Sequence, residues 1–487
     1  MNKKNLKIFF FLAIIIFLYF LSTNIQSEPK EYKVFLTESG FSPKNLKIKN
    51  GDSVIFESKT QSVFWPASDL HPSHLVYPEF DPKEPIRVGS TWRFKFEKNG
   101  SWEFHDHLNP SNRGGVVVGG FLGSQIVSNV LDSYSKMVIS FLGKDRYFAS
   151  FFDKCPKSEK FEFGKKCWEE ALTQIDKHFG IEASFDFLQE GIKKDKSLAG
   201  TCHYYAEYIG FLAYERFYKG ETPEFYSKSN MCGYGYYHAF LQEWVSHKKD
   251  ITEAKEYCYK TDANGDEFSK DNCFLGIGLG LTFLNLSEYY GKDDAIVEKS
   301  ILTCRNAFED GGRMQDACID GALSGLAHLY FGDHGLSLNV NKSDPFWVCN
   351  RVDTGFKSRC YQAITEVVFF DLNQDFKKTT DFILKVKNRD IEKASIERLG
   401  TTLYNTIYFQ DQEGTKGLNF CQTLEKTEHK LSCLVGFLRR YISVNLRSED
   451  ANKNKSLICK NPEFSTTETS VCNNELALFI KNNEQGF

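Results

Sequence analysis

The sequence predicts a multidomain β + α protein, in which an N-terminal β-sandwich or barrel precedes an all-α helical repeat region stapled by disulfides. Two observations support this division: short alternating apolar runs without cysteine before residue 120, and fourteen cysteines that all follow residue 150. The 487 residues, 41% of them hydrophobic, suffice for more than one core. A net charge of −4 gives no field that would attract nucleic acid, so we expect no nucleic-acid partner.

The first 28 residues have the pattern of an export signal. Lys3, Lys4 and Lys7 precede the uncharged run Ile8 to Leu21. This run has 14 residues, fewer than the roughly 20 that a membrane-spanning helix needs, but no clear cleavage site follows it. We therefore expect residues 1–28 to be a signal peptide or an uncleaved N-terminal membrane anchor. In both cases the rest of the chain is extracytoplasmic, in the periplasm, at the cell surface or secreted.

The cysteines fall into seven sequential couples, and no C-x-x-C motif occurs, which argues against zinc ribbons and redox pairs. An oxidising compartment favours structural disulfides within each couple. The couples are Cys155/Cys167, Cys202/Cys232, Cys258/Cys273, Cys304/Cys318, Cys349/Cys360, Cys421/Cys433 and Cys459/Cys472.

The second cysteines of these couples mark a repeat. From Cys232 onward they are separated by 41, 45, 42, 73 and 39 residues, and the interval of 73 contains Glu397 where a marker is expected. A glycine follows three residues after most markers, as Gly400 follows Glu397. Such a period matches two-helix repeats, so residues 141–487 are predicted to form an α-solenoid, with residues 121–140 as a connector. The glycines would let neighbouring helices approach closely.

Residues 31–120 have strand patterning. Apolar residues alternate about the turns Ser39-Gly40 and Asn50-Gly51, and a second alternating set surrounds Asn99-Gly100. The first set consists of Val34, Leu36, Leu46, Ile48, Val54 and Phe56. About 90 residues of this kind are typical of a small β-sandwich or barrel.

Three segments of this region resemble the cupredoxin family of small copper proteins of the plastocyanin type. They are Gly40 to Phe56, Ile86 to Phe96, and Asn99 to Val118, which contains NGSWEFHDHLNPSNRGGVVV. The resemblance covers residues 31–118 and implies a Greek-key β-sandwich with a metal loop between the last two strands. A blue-copper site needs a thiolate and usually a thioether, yet no cysteine precedes Cys155 and no methionine lies between Met1 and Met137.

Four of the eleven histidines nevertheless lie within 37 residues of this domain: His71, His74, His105 and His107. Because residues two apart on a strand face the same side, His105 and His107 could offer two imidazoles to one ion. We predict these four histidines as ligands of copper, with zinc as the alternative metal. A metal-free domain, whose histidines only form hydrogen bonds, stays open as well.

Three carboxylates near these histidines, Asp69, Asp81 and Asp106, are predicted to orient the imidazoles. In the helical half, His203, His238 and His328 follow cysteines closely. Their aromatic neighbours favour packed core histidines, and a second site on the helical array is the alternative.

The sequence thus predicts an exported metal-binding protein whose helical array binds an unknown protein or small molecule. A metal-free cell-surface scaffold and a copper-dependent oxidoreductase are the two alternatives. No nucleophile elbow, phosphate loop, H-E-x-x-H or dinucleotide motif occurs in the order that its chemistry requires, so the sequence favours a binding protein over an enzyme.

Overall fold

We analysed a computed structural model of the chain. It describes residues 28–69, 74, 76–119, 143–155, 161–195, 198–248, 250–261, 267–308, 311–330, 344–411, 416–446, 459–460, 462 and 464–484. The predicted signal or anchor over residues 1–28 lies outside them except for its last residue, and the predicted connector 121–140 lies wholly outside them. Within the part of the chain that is described, no helix combines the length and apolar character needed to cross a membrane.

The N-terminal region is a two-sheet sandwich, as predicted. The strands are β1 Glu31–Thr37, β2 Gly40–Ser42, β3 Asn45–Ile48, β4 Ser53–Ser58, β5 Pro66–Ser68, β6 Thr91–Lys95, β7 Gly100–Asp106 and β8 Asn109–Val118. One sheet has the strand order β2-β1-β4-β6 and the other β3-β8-β7-β5, with β1 parallel to β4 and β3 parallel to β8.

Aromatic rings fill the space between the two sheets. Phe56 of β4 meets Phe104 of β7 edge to face, with ring centroids 5.3 Å apart, and Phe80 packs against both rings. Such pairs add roughly 0.5–1.5 kcal/mol beyond the burial of their area. Val54 and Val116 are also fully buried in this core. The alternation seen in the sequence therefore separates a core face from a solvent face on these strands.

The C-terminal region is all-α. The described residues form α1 Lys144–Phe152, α2 Phe161–Phe179, α3 Ile181–Lys194, α4 Leu198–Tyr218, α5 Gly235–His247, α6 Thr252–Tyr259, α7 Glu267–Tyr289, α8 Asp293–Ala307, α9 Arg313–Tyr330, α10 Lys357–Asp371, α11 Phe376–Ile383, α12 Arg389–Asp411, α13 Lys416–Gln422, α14 Thr427–Leu446 and α15 Thr466–Glu484. Short 3₁₀ turns lie at Met231–Tyr234, Trp347–Asn350 and Thr354–Phe356.

The seven predicted cysteine couples are the seven disulfides of the structure, so the sequential pairing is confirmed. Most of them join the end of one helix to the start of the next. Cys258 at the end of α6 bonds Cys273 in α7, and Cys304 near the end of α8 bonds Cys318 in α9. Each bridge of this kind closes one helical hairpin. Closing a loop of about a dozen residues with a disulfide contributes roughly 3 kcal/mol.

Glycines bring the successive long helices into backbone contact, as the sequence predicts. A Cβ at Gly321 of α9 would lie 1.9 Å from the carbonyl oxygen of Leu275 in α7. The same is true where the unit without a bridge meets the next one. A Cβ at its Gly400 in α12 would lie 2.1 Å from the carbonyl oxygen of Cys433 in α14, and a Cβ at Gly436 of α14 would lie 1.8 Å from that of Glu397 in α12. Only glycine permits this separation between the two helices.

The long helices form the inner layer of the array. In chain order α4, α5, α7, α9, α10, α12, α14 and α15 each contact the next. The shorter helices α6, α8, α11 and α13 each pack against the long helix that follows them in the chain. The layer also curves, because α12 contacts α4. The array is therefore a solenoid that bends back on its own early helices.

The sandwich packs against this array. Strand β8 contacts α5 and α7, and Trp65, Ala67 and Leu108 of the sandwich join the apolar core of the helices. The end of the sandwich that carries the turn between β7 and β8 therefore faces the helical region.

Candidate metal centre

Two of the predicted ligands lie where β7 ends and the turn to β8 begins. His105 is the penultimate residue of β7 and pairs with Ala67 of β5, whereas His107 lies just beyond the strand. A register shift between His105 and Asp106 interrupts the ladder there. The backbone N–H of His107 donates to the carbonyl oxygen of Trp65 at 2.7 Å. The local backbone thus holds both imidazoles at the same end of the sheet.

A third predicted ligand, His74, reaches this place from the long loop after β5. One nitrogen from each of His74, His105 and His107 lies within 4.8 Å of the others, and the three residues are 4%, 0% and 2% exposed. His74 has a φ of 52°, a left-handed conformation that residues other than glycine seldom adopt. The hydroxyl of Ser68 donates to its carbonyl oxygen at 2.9 Å and so helps to hold this conformation. The fourth predicted ligand, His71, lies outside the described residues.

Two of the three predicted orienting carboxylates contact these imidazoles. Nδ1 of His105 donates to Oδ1 of Asp69 at 2.7 Å, and Nδ1 of His74 donates to Oδ2 of Asp81, also at 2.7 Å. Metal-binding histidines usually have such a partner on the ring nitrogen that does not bind the metal. Since Nδ1 of His74 carries the proton, Nε2 of His74 can accept a hydrogen bond. Nδ1 of His107 lies 3.0 Å from this Nε2 atom.

The third carboxylate, Asp106, has a different role from the one predicted. Its Oδ1 accepts from the backbone N–H of Trp65 at 2.9 Å and of Leu108 at 3.2 Å. Burial raises the pKa of Asp106 to about 7, against the effect of these hydrogen bonds. Asp106 therefore ties the end of β7 to the start of β5 instead of orienting an imidazole.

Burial opposes ionisation of Asp81, but hydrogen bonds from His74 and from Lys83 outweigh it and hold the pKa of this carboxyl below its usual range. The indole N–H of Trp65 donates to the other carboxylate oxygen at 2.8 Å. The Trp65 ring also lies 4.7 Å from the ring of His107. One carboxylate thus connects His74 to the aromatic wall beside His107.

The Asp69 carboxylate connects His105 to the helical array. Nη1 of Arg113, in β8, donates to Oδ2 of Asp69 at 3.2 Å, and Nη2 of Arg113 donates to Oε1 of Glu215 in α4 at 3.0 Å. Burial raises the pKa of Asp69 to about 7, while the opposite charge of Arg113 lowers it. Arg113 and Glu215 were not predicted from the sequence. They are 102 residues apart, and no local pattern links them.

A second group of potential ligands lies in the array, where the sequence analysis favoured packed core histidines. His203 and Glu207 of α4 and His238 of α5 offer atoms within 4.8 Å of one another. Burial, together with the charge of His203, lowers the pKa of His238 to about 4. Burial lowers the pKa of His203, but the carboxylate of Glu207 outweighs it and raises that pKa. Glu207 was missed, although its spacing of four residues from His203 on a helix was a usable signal.

The comparisons with known proteins concern the sandwich. Residues 10–118 match the family model described as the cupredoxin-like domain. No curated protein sequence matches the chain. Similar solved structures include a purple cupredoxin from Nitrosopumilus maritimus, which is 20% identical over 18% of this chain and 98% of that chain, with a TM-score of 0.16.

A reduced mutant of amicyanin is 16% identical over 19% of this chain and 86% of that chain, with a TM-score of 0.16. A copper-containing nitrite reductase from Thermus scotoductus is 22% identical over 20% of this chain and 24% of that chain, with a TM-score of 0.17. The family match and the observed sheets agree with the resemblance seen in the sequence. The N-terminal sandwich of this protein is a cupredoxin-like domain.

Proposed function

We propose that this protein is an extracytoplasmic metal-binding protein and that His74, His105 and His107 hold a copper ion in its cupredoxin-like domain. The observation that carries the proposal is the convergence of three buried imidazoles, two of them held by carboxylates at Nδ1. A neutral imidazole oriented in this way presents the lone pair of Nε2 to a metal ion. The match to the cupredoxin-like family favours copper, and zinc is the alternative that the same donors would bind.

The donor set does not fit a blue-copper centre. Residues 31–118 contain neither cysteine nor methionine, so the thiolate and thioether of such a centre are missing from this domain. Three imidazoles instead suit a copper ion with nitrogen ligands only. Such a copper ion can cycle between its two oxidation states. His71 stays a predicted fourth ligand, since it lies three residues before His74 in the same loop.

The seven disulfides and the cupredoxin-like domain favour an extracytoplasmic location, since disulfides persist in oxidising compartments. We also propose that the helical array supplies a surface for a protein or small-molecule partner, as curved repeat arrays commonly do. In this proposal the array and the metal centre act together, because Arg113 connects the partner of His105 to α4.

The test is the metal content of the full-length protein. The wild-type chain, stripped with a chelator and dialysed against Cu(II), should retain copper at the cluster. The variants His105→Ala and His107→Ala should each lose that copper, because each removes one of three imidazoles. Electron paramagnetic resonance should show nitrogen coordination in the wild type and a changed signal in each variant.

His178→Ala is the matched control, since His178 lies in α2 outside the cluster. Each variant should keep the helical circular dichroism of the wild type. Unchanged copper content and an unchanged spectrum in both cluster variants would contradict the proposal and favour a metal-free domain.

A further inference from the structure

We propose that His203, Glu207 and His238 form a second metal site, located in the helical array and independent of the cupredoxin-like domain, which binds a divalent first-row transition metal. Two of these residues come from α4 and the third from α5. No described sandwich residue belongs to this group.

The geometry converges on one point between two helices. His203 and Glu207 are four residues apart and lie on the same face of α4, with Nε2 and Oε1 separated by 3.4 Å. The His238 ring comes from the start of α5, and its centroid lies 5.2 Å from that of His203. One ligand atom from each residue lies within 4.8 Å of the other two.

Hydrogen bonds fix the orientation of both imidazoles. Nδ1 of His203 donates to the carbonyl oxygen of Cys232 at 2.8 Å, so a neutral His203 ring turns the lone pair of Nε2 toward the Glu207 carboxylate. Two electron-rich atoms that face each other need a cation between them, which is either a proton or a metal ion. Nε2 of His238 donates to Oδ1 of Asn272 in α7 at 3.0 Å, which leaves the lone pair on Nδ1.

These outer contacts have the form that metal sites require. Each imidazole donates a hydrogen bond from one ring nitrogen to a carbonyl or amide oxygen. Its other ring nitrogen keeps a lone pair that can bind a metal ion. The bridge between Cys202 and Cys232 strengthens the arrangement, because it joins the residue before His203 to the residue whose carbonyl orients His203. The site therefore rests on a covalently closed part of the array.

An ordinary helix ion pair does not account for the group. A pair spaced by four residues on a helix, such as His203 and Glu207, needs no third residue. His238 brings a second imidazole from another helix, with its ring centroid 5.2 Å from that of His203. Two imidazoles facing one carboxylate are instead the ligand set of zinc and non-haem iron sites that keep open positions.

The site is open to small molecules. The side chains of His203 and Glu207 are 42% and 18% exposed, in contrast to the buried histidines of the sandwich. Solvent or a small ligand could therefore reach a bound ion.

The two histidine groups are also far apart. Glu215, which contacts Arg113 beside the sandwich, follows His203 by twelve residues on α4, which is about 18 Å along the helix axis. Loss of one site should therefore leave the other intact.

The experiment measures Zn(II) binding by the full-length chain that carries His105→Ala and His107→Ala, which removes the ligands of the first proposed site. After chelator treatment, equilibrium dialysis with Zn(II) should give about one zinc per chain. Adding Glu207→Gln or His203→Gln should weaken binding by more than the roughly 10- to 100-fold that loss of an outer partner costs. Asn272→Ala, which removes such a partner, should fall within that range.

His178→Gln in the same background is the control and should bind zinc as its parent does. If the double variant fails to fold, total zinc in the wild-type chain should fall by one per molecule when Glu207→Gln is introduced. Absence of zinc from the folded double variant, or equal binding after Glu207→Gln, would overturn the second site. Neither result bears on copper at His74, His105 and His107, which is tested by its own variants.

Discussion

The sandwich and the helical array are stabilised in different ways. The sandwich has no cysteine and depends on strand pairing and on a core of aromatic rings such as Phe56, Phe80 and Phe104. The array has seven disulfides, and its long helices meet at glycines, as at Gly321 and Gly436. The sandwich is built around one core, whereas each repeat contacts mainly its neighbours and most repeats are closed by a covalent bridge.

The two histidine groups also differ, in their burial and in the groups that orient their imidazoles. In the sandwich, His74 and His105 are buried, and each is oriented by a carboxylate, His74 by Asp81 seven residues away and His105 by Asp69, 36 residues away. In the array, His203 is half exposed, and its oxygen partners are a backbone carbonyl and a glutamate one helical turn away. The comparison indicates that the sandwich encloses its histidine group, while the array leaves part of its histidine group exposed to solvent.

The largest effect should come from reducing the disulfides. Each bridge over a short loop contributes roughly 3 kcal/mol, and the array has seven, so a reductant should unfold it and leave the sandwich folded. Hydrogen–deuterium exchange on the full chain should show loss of protection in α7 and α9 and continued protection in β4 and β7. Equal loss in both regions would show that the sandwich depends on the array for its stability.

A smaller effect should follow from breaking the contact between the two regions. Arg113 is 8% exposed and binds both Asp69 and Glu215, so Arg113→Met removes the arginine that pairs with buried Asp69 and leaves Glu215 with Lys219. We expect a loss of about 3–5 kcal/mol in the free energy of unfolding, measured with denaturant.

Arg93→Met is the control for that change, because Arg93 pairs with Glu31 at the surface with its side chain 61% exposed. Such a pair contributes roughly 0–1 kcal/mol. If Arg113→Met costs no more than Arg93→Met, the two regions do not depend on this contact.

The smallest effect should come from one methyl group in the array. Gly436→Ala places a Cβ 1.8 Å from the carbonyl oxygen of Glu397, so α14 must move away from α12. Overpacking of this kind costs about 1–3 kcal/mol, which thermal unfolding should detect. Gly355→Ala is the matched control, since an added Cβ there has no atom within 4 Å, and it should change stability little. A similar result for both variants would mean that the close helix contact is not required.

The disulfides could be predicted because their pairs are local. Cys304 and Cys318 are separated by 14 residues, so spacing alone indicates the pair, and the same repeat points to Glu397 and Gly400 in the unit without a bridge. The residues that form the strand pattern, and the clustered histidines, are likewise close to one another in the chain. Local patterns of this kind were enough to predict both domains and three of the residues that meet in the candidate metal centre.

Long-range contacts could not be predicted in this way. Asp69 and Asp81 were found among three candidates, but nothing in the sequence separated them from Asp106, whose side chain accepts from the backbone N–H of Trp65, just before β5. Arg113 contacts Glu215 across 102 residues, and only the packing of the sandwich on the array brings them together. Such pairs depend on the final arrangement of the two regions.

The contact between α4 and α12 limits how the array can change in length. An open stack of repeats tolerates insertion or deletion of a unit, because every repeat touches only its neighbours. Here α12 contacts α4, several units earlier in the chain. Removing one hairpin between them would bring a different helix to that position. Gene duplications or losses of single units should therefore be tolerated after α12 and selected against between α4 and α12.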